Sequence, residues 1–320
     1  MPPATSIFVG GGTPSMVPAA GLVGVLDAVP RAPGCEVTVE CNPDTITDDL
    51  VATYVAGGVD RLSIGVQSMV PHVLTALGRT HDVANVRRCA DLARSHGLRS
   101  FNLDVIYGGA GESLDDWRRT LDGVLELDPP HVSAYALTVE AGTPLADDEA
   151  RHPVDDDQAD KYLAAVEALE GAGLECYEIS NFARPGHECR HNLLYWSQGD
   201  YEGFGCAAHS HRAGRRWWNL RTPERYLAAV EAGGFGGLAG ETLDDETRAL
   251  EHLQLAVRMR SGVPLDALDA DDLPGLVRRD GDRWVLTVEG RLLANEVSLR
   301  LRVPSGAAAP GPGTGDPDRR

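Results

Sequence analysis

"IFVGGGTPS", residues 7–15, runs three apolar residues into three consecutive glycines and then Thr-Pro-Ser. Adjacent glycines cost backbone entropy, so such a run marks a tight turn or a place where something approaches bare backbone. It is not a Walker A loop, because no Gly-Lys-Ser/Thr ending follows. Ser15 stands where a dinucleotide fingerprint has its last glycine. Two readings stay open from the residues alone: a polar ligand lying against the turn's amides and carbonyls, or a plain strand-to-helix turn.

Outward from this turn, short β-rich runs alternate with amphipathic stretches. The strand candidates are "SIFV" (6–9), "EVTVE" (36–40), "RLSIG" (61–65), "SFNLDVI" (100–106), "HVSAYAL" (131–137) and "LECYEI" (174–179). Helical stretches cover 46–58, 82–97, 113–127 and 157–173, with Thr47, Ser113 and Asp155 as expected caps and glycines at several ends. Strand–helix repetition predicts an α/β fold on a parallel sheet, a barrel or a doubly wound sheet. Glu40, Gln67 and Asp104 fall at or near strand ends. Barrel enzymes gather their chemistry at the C-terminal ends of strands, although any one of these residues could simply cap its own loop.

The rhythm sets expected boundaries. Residues 1–180 read as a partial barrel and 181–242 as a Gly-, His- and aromatic-rich continuation of the core. Residues 243–303 read as a small α+β unit of winged-helix order. Residues 304–320, "PSGAAAPGPGTGDPDRR", are too poor in large apolar residues to pack and read as a disordered tail.

With 320 residues, 42% of them hydrophobic, the chain can bury a substantial core. It has no apolar run long enough to span a membrane, and "MPPATSIFVG" lacks the regions of a signal peptide, so the expected location is the cytoplasm. A net charge of −19 repels phosphate backbones and argues against a nucleic-acid partner. The six cysteines are scattered, none in a CxxC or CxxxCxxC cluster, so a disulfide framework is not expected.

Taken in order, "IFVGGGTPS", "VECNPD" (39–44), "RLSIGVQS" (61–68), "LGRTH" (77–81), "FNLDVIYG" (101–108) and "YWSQGDYEGFGCAAHS" (195–210) closely resemble the radical S-adenosylmethionine (SAM) family of oxygen-independent coproporphyrinogen III oxidases and their relatives. "CRHNLLYW" (189–196) is similar to the signature of the HemW-type haem-chaperone branch. The resemblance implies a radical-SAM barrel and a SAM pocket formed by Gly11, Gly12, Thr13, Glu40, Gln67, Arg79 and Asp104. Glu40 would face the cofactor's ammonium, and Gln67 and Asp104 would bond hydroxyls. A guanidinium such as that of Arg79 can fork onto a carboxylate. It also implies a haem role for His191, with Tyr195 and Trp196 as flat apolar contacts. Haem and a haem acceptor protein are the implied partners.

The family also carries a four-iron four-sulfur (4Fe-4S) cluster on CxxxCxxC, in a loop before the glycine turn. That motif does not occur in this sequence, where nine residues precede Gly10. The expectation is therefore a barrel lacking its first strand–helix unit, with Met1 a misplaced start and no cluster held by the chain as it stands. Whether the protein is an enzyme is left open by this reading. The leading reading is a haem chaperone; the alternatives are a coproporphyrinogen III oxidase or an inactive truncated remnant. "HECRHN" further places His187, Cys189 and His191 at alternate positions, which on a strand would share one face, and His209 and His211 repeat the spacing. Two local departures from the family stand in "IYGGAGES" (106–113), where Gly109 and Ala110 replace a common Leu-Pro, and in Cys206 within "GFGCAAHS".

Overall fold

A computed structural model describes residues 2–234 and 237–304. The expected tail lies outside the described residues from 305 onward. The chain divides into two compact units, 1–191 and 192–320.

The first unit is a wound α/β sheet. In chain order its elements are β1 (Ala4–Val9), α1 (Ala19–Asp27), β2 (Arg31–Cys41), α2 (Asp48–Ala56), β3 (Arg61–Gln67), α3 (Pro71–Ala76), α4 (Val83–Ser95), β4 (Ser100–Tyr107), α5 (Leu114–Leu125), β5 (His131–Ala136), α6 (Asp155–Gly171), β6 (Glu175–Glu178) and β7 (Asn181–Ala183). The seven strands lie in the order β1-β2-β3-β4-β5-β7-β6. The first five are mutually parallel, whereas β7 pairs antiparallel with both β5 and β6. The two residues between β6 and β7 allow only a hairpin, which must reverse direction; the expectation of a parallel sheet therefore holds for five strands and not for the last two.

The strands alternate strictly. One face carries Val37, Val39, Leu62, Ile64, Leu103, Val105 and Val132, all at 0–1% exposure. Helices cover this face: α4 packs on β3 and β4, α5 on β4, and α6 on β5 and β6. Each fully buried aliphatic side chain contributes about 1.5–3 kcal/mol, so this face carries the unit's stability. On α5 the core side is Trp117, Thr120, Leu121 and Val124, one stripe at helical spacing.

Local chemistry starts the helices where the sequence indicates, with one exception. The Thr47 side chain accepts the Leu50 N–H, and Ser113 and Asp116 form a reciprocal capping box. Asp155 is not a cap: Val154 holds that position and Asp155–Asp157 occupy the first turn, where their charge complements the helix dipole.

The second unit begins within α7 (Arg190–Trp196), whose first two residues belong to the first unit. It continues with β8 (His209–Arg212), β9 (Arg215–Asn219), α8 (Pro223–Glu231) and β10 (Gly237–Thr242), whose strands form an antiparallel sheet in the order β10-β9-β8. Then come α9 (Asp245–Ala256), β11 (Val263–Pro264), β12 (Val277–Asp280), β13 (Arg283–Leu286), α10 (Val288–Leu292) and α11 (Ala294–Ser298). A second small sheet runs β11-β13-β12. Between α10 and α11, Leu293 at φ −109° and ψ 27° interrupts the helical ladder. Among the described residues no helix is long and apolar enough to cross a membrane.

Candidate functional site

The opposite face of the seven-stranded sheet is polar. Register places Ser6 beside Glu36, then Phe8, Thr38, Arg61 and Ser100 in a row across four strands. The next row holds Glu40, Ser63, Asn102 and His131, and the one above it Gly65, Asp104, Ser133 and Asn181. These side chains bond one another. Ser63 Oγ and Asn102 Nδ2 donate to Asp104 at 2.8 and 2.7 Å, and His131 bridges Asn102 Oδ1 (2.7 Å) and Tyr177 Oη (2.9 Å). A buried polar network of this kind persists only when its members satisfy one another.

Three predicted residues meet towards the C-terminal ends of the strands. Glu40 is half-buried, and burial together with the Asp104 carboxylate pushes its pKa up to about 7, against the pull of the Gly11 N–H. Burial also raises the Asp104 carboxyl, opposed by bonds from Ser63 and Asn102. Gln67 closes β3 in the left-handed region, at φ +65°, after a register shift. Its side chain folds back over Gly65, whose missing Cβ would lie 2.8 Å from Gln67 Nε2. A non-glycine residue held at positive φ costs of order 1–3 kcal/mol and often marks a functional position.

The three glycines differ in what requires them. A Cβ on Gly10 would sit 3.2 Å from the Glu40 carboxyl and the Phe8 ring, whereas Gly11 needs its φ of +93°. Gly12 faces open space and requires neither. Thr13 is half-buried and extended, preceding a 3-10 turn at Pro14–Met16.

Unpredicted residues fix these loops. Ser15 Oγ meets Thr45 Oγ1 at 2.5 Å and accepts the Asn42 N–H, which ties the glycine turn to the loop after β2. Thr80 donates to Asp44 at 2.7 Å, and His81 Nε2 bonds the Val66 carbonyl. Arg79, between these anchors, is exposed and makes no hydrogen bond or ion pair with Glu40, Gln67 or Asp104. After β4, the loop carrying "GGAGES" is held by a buried pair: Glu112 accepts the Gly108 N–H at 2.7 Å and lies 3.2 Å from Lys161 Nζ, both side chains at 0% exposure.

His191 sits at the other end of the polar face. Its Nδ1 lies 3.0 Å from Ser6 Oγ, and its ring stacks on Phe8 with centroids 5.5 Å apart. Burial lowers its pKa to about 4, so the imidazole is neutral at physiological pH. The single strand face expected for His187, Cys189 and His191 does not exist. The first two lie in a loop and His191 on α7, and they turn to Ser100, Glu36 and Ser6 respectively. Glycine and proline just before them end β7, which breaks the alternation. On α7, Tyr195 is 43% exposed and packs edge-on against Tyr201, while Trp196 has a buried Nε1 without a partner. His211 spends both ring nitrogens on backbone at Gly199 and Gly214, which is a structural role.

The arrangement suits the ammonium end of a ligand: two carboxyl groups on adjoining rows, a backbone turn with open space at Gly12, and the side-chain amide of Gln67. A cluster is a different matter. Among the described residues no group of three His, Cys, Asp or Glu side chains could hold a metal ion, so none is assigned to iron.

The radical SAM superfamily model matches residues 1–124. A protein named haem chaperone HemW from Mycobacterium tuberculosis is 41% identical over 317 residues, covering 94% of this chain and 81% of that protein. The Bacillus subtilis HemW is 31% identical over 92% of this chain and 85% of its own length. The Escherichia coli HemW is 43% identical over 208 residues, 64% of this chain and 55% of its own. Among solved structures, E. coli coproporphyrinogen III oxidase (HemN), a radical SAM enzyme, superposes with a TM-score of 0.78 over 92% of this chain and 77% of its own. At 22% identity that likeness concerns the fold. The fold is thus α/β, a curled half-barrel of parallel strands followed by small sheets, and by identity and coverage the chain belongs to the HemW family of radical SAM proteins.

Proposed function

We propose that this protein is a haem chaperone, which binds haem at His191 and passes it to an acceptor protein, and that it holds SAM at the C-terminal ends of β1 to β4. The observation that carries the haem reading is the state of His191. A ring held neutral by burial, oriented by Ser6 and stacked on Phe8 supports this reading, because haem iron takes a neutral imidazole.

In the SAM site, Glu40 would pair with the ammonium and Asp104 with hydroxyls. Gly11 and Gly12 would let the ligand lie on backbone, and Gln67 would contribute its amide. Arg79 would reach a carboxylate by closing from its exposed loop. When bound there, SAM would supply the radical chemistry of this superfamily. The cytoplasm is the proposed location.

Transfer is the test. The protein loaded with haem is mixed with an apo-haemoprotein, and the acceptor's Soret band is followed. The proposal expects movement of haem faster than its release to free solution. Retention of haem, or transfer no faster than spontaneous loss, would contradict it.

A further inference from the structure

Arg61 is the charge that the described network leaves unanswered. It opens β3 at 1% exposure, between Thr38 and Ser100 in one row of the polar face. Its Nε and Nη2 are buried without a hydrogen-bond partner, and so is the Thr38 hydroxyl on the adjacent strand. A guanidinium does not shed its proton, and burying one uncompensated costs several kcal/mol. Three carboxyl groups of this face have other partners, Glu40 taking the Gly11 N–H. Glu36 takes Arg99 at 2.8 Å, the His191 N–H at 3.3 Å and the Cys189 thiol, while Asp104 takes Ser63 and Asn102. Asp104, His131 and His187 all sense the Arg61 charge, which places it centrally.

The two orphaned nitrogens lie along one edge of the guanidinium, the edge that forks onto a carboxylate in parallel. The same row begins at Phe8, on which His191 stacks. Arg61 stands two strands from Phe8, about 10 Å at ordinary interstrand spacing.

We propose that Arg61, with the Thr38 hydroxyl beside it, is a carboxylate-binding subsite that receives a propionate of the haem bound at His191. This rests on the haem reading above. It adds a specificity element: the protein selects porphyrins that carry a free carboxylate and rejects those whose carboxylates are masked. SAM is the other source of a carboxylate on this face, and the experiment separates the two.

Ferric haem and its dimethyl ester are titrated into the 320-residue protein and into Arg61→Met and Arg61→Lys variants, with Soret absorbance as readout. The wild type is expected to bind haem about tenfold more tightly than the ester. Arg61→Met should bind both equally, and Arg61→Lys should keep part of the preference. Equal affinity of the wild type for both, which needs no variant to fold, overturns the proposal, as does a preference retained in Arg61→Met. If SAM affinity falls in Arg61→Met while the preference for haem over its ester persists, the carboxylate is SAM's and the haem assignment is overturned. A wild type that binds neither porphyrin removes the chaperone reading. The subsite is then decided by melting in sodium propionate against sodium chloride at equal ionic strength. A rise in Tm in the wild type that is absent in Arg61→Met supports a carboxylate site, and no rise overturns it.

Discussion

Glu40 and Asp104 sit on β2 and β4 of one polar face, and the charge on Asp104 helps hold the Glu40 carboxyl protonated up to about pH 7. The same geometry that makes Glu40 reluctant to ionise makes it receptive to a cation, because an arriving ammonium relieves both the burial and the repulsion.

SAM binding should therefore depend on pH. An ammonium ligand selects the ionised form, so affinity rises as pH climbs through the Glu40 pKa. The gain is about fivefold between about pH 6 and about pH 7, with a proton released on binding. Calorimetry in buffers of different ionisation heat measures both. The profile should flatten in Glu40→Gln, where binding is weak throughout.

The same variant should be more stable than the wild type. A folded pKa above the unfolded one means that the native state binds more protons between pH 4.5 and 7, so stability falls as pH rises across that window. Glu40→Gln removes this penalty. After discounting for solvent at a half-buried group, the gain is about 1–2 kcal/mol at about pH 8 and close to nothing at about pH 4. Denaturant unfolding at the two pH values checks it.

The glycines should separate by role. Gly11→Ala forces a side chain to φ +93° and should cost about 1 kcal/mol or more. Gly12→Ala meets open space, so its Tm should stay close to that of the wild type while SAM affinity drops, because the added methyl occupies the ligand's side of the turn. A Gly12→Ala variant with unchanged SAM affinity would place the ligand elsewhere.

Lys161 and Glu112 should behave as a unit. Lys161→Met leaves a buried carboxylate uncompensated and should cost about 3–5 kcal/mol, whereas adding Glu112→Gln recovers part of that loss. Chemical denaturation of the two variants makes the comparison.

Much of the fold is legible in the amino-acid sequence. The first six strands fall within a few residues of where β-rich runs predict them, because each is bounded by glycine, proline or a capped helix. Thr47 and Ser113 cap as their spacing indicates. The polar face is also written in the chain, in "R-L-S-I-G" and "S-F-N-L-D", where every second residue is polar. Strand ends alone point to Glu40, Gln67 and Asp104, so Ser63, Asn102, Ser133 and Arg61, which lie inside or at the start of their strands, escape that criterion. The strand face expected of the histidines fails because "HECRHN" follows a Pro-Gly turn and opens a helix, so a period of two has no strand to act on. The partners of His191, Ser6 and Phe8, lie far away along the chain near its first residues, a proximity created where the start of α7 meets β1.

Haem binding at His191 is tested by equilibrium titration of haem into the wild type and into His191→Ala, followed by the Soret band. Saturable binding with a Soret shift is expected in the wild type. The shift should be lost and affinity should fall at least about tenfold in His191→Ala, while a His187→Ala control stays near wild type. Identical titrations of wild type and His191→Ala, or no binding by the wild type, would contradict it.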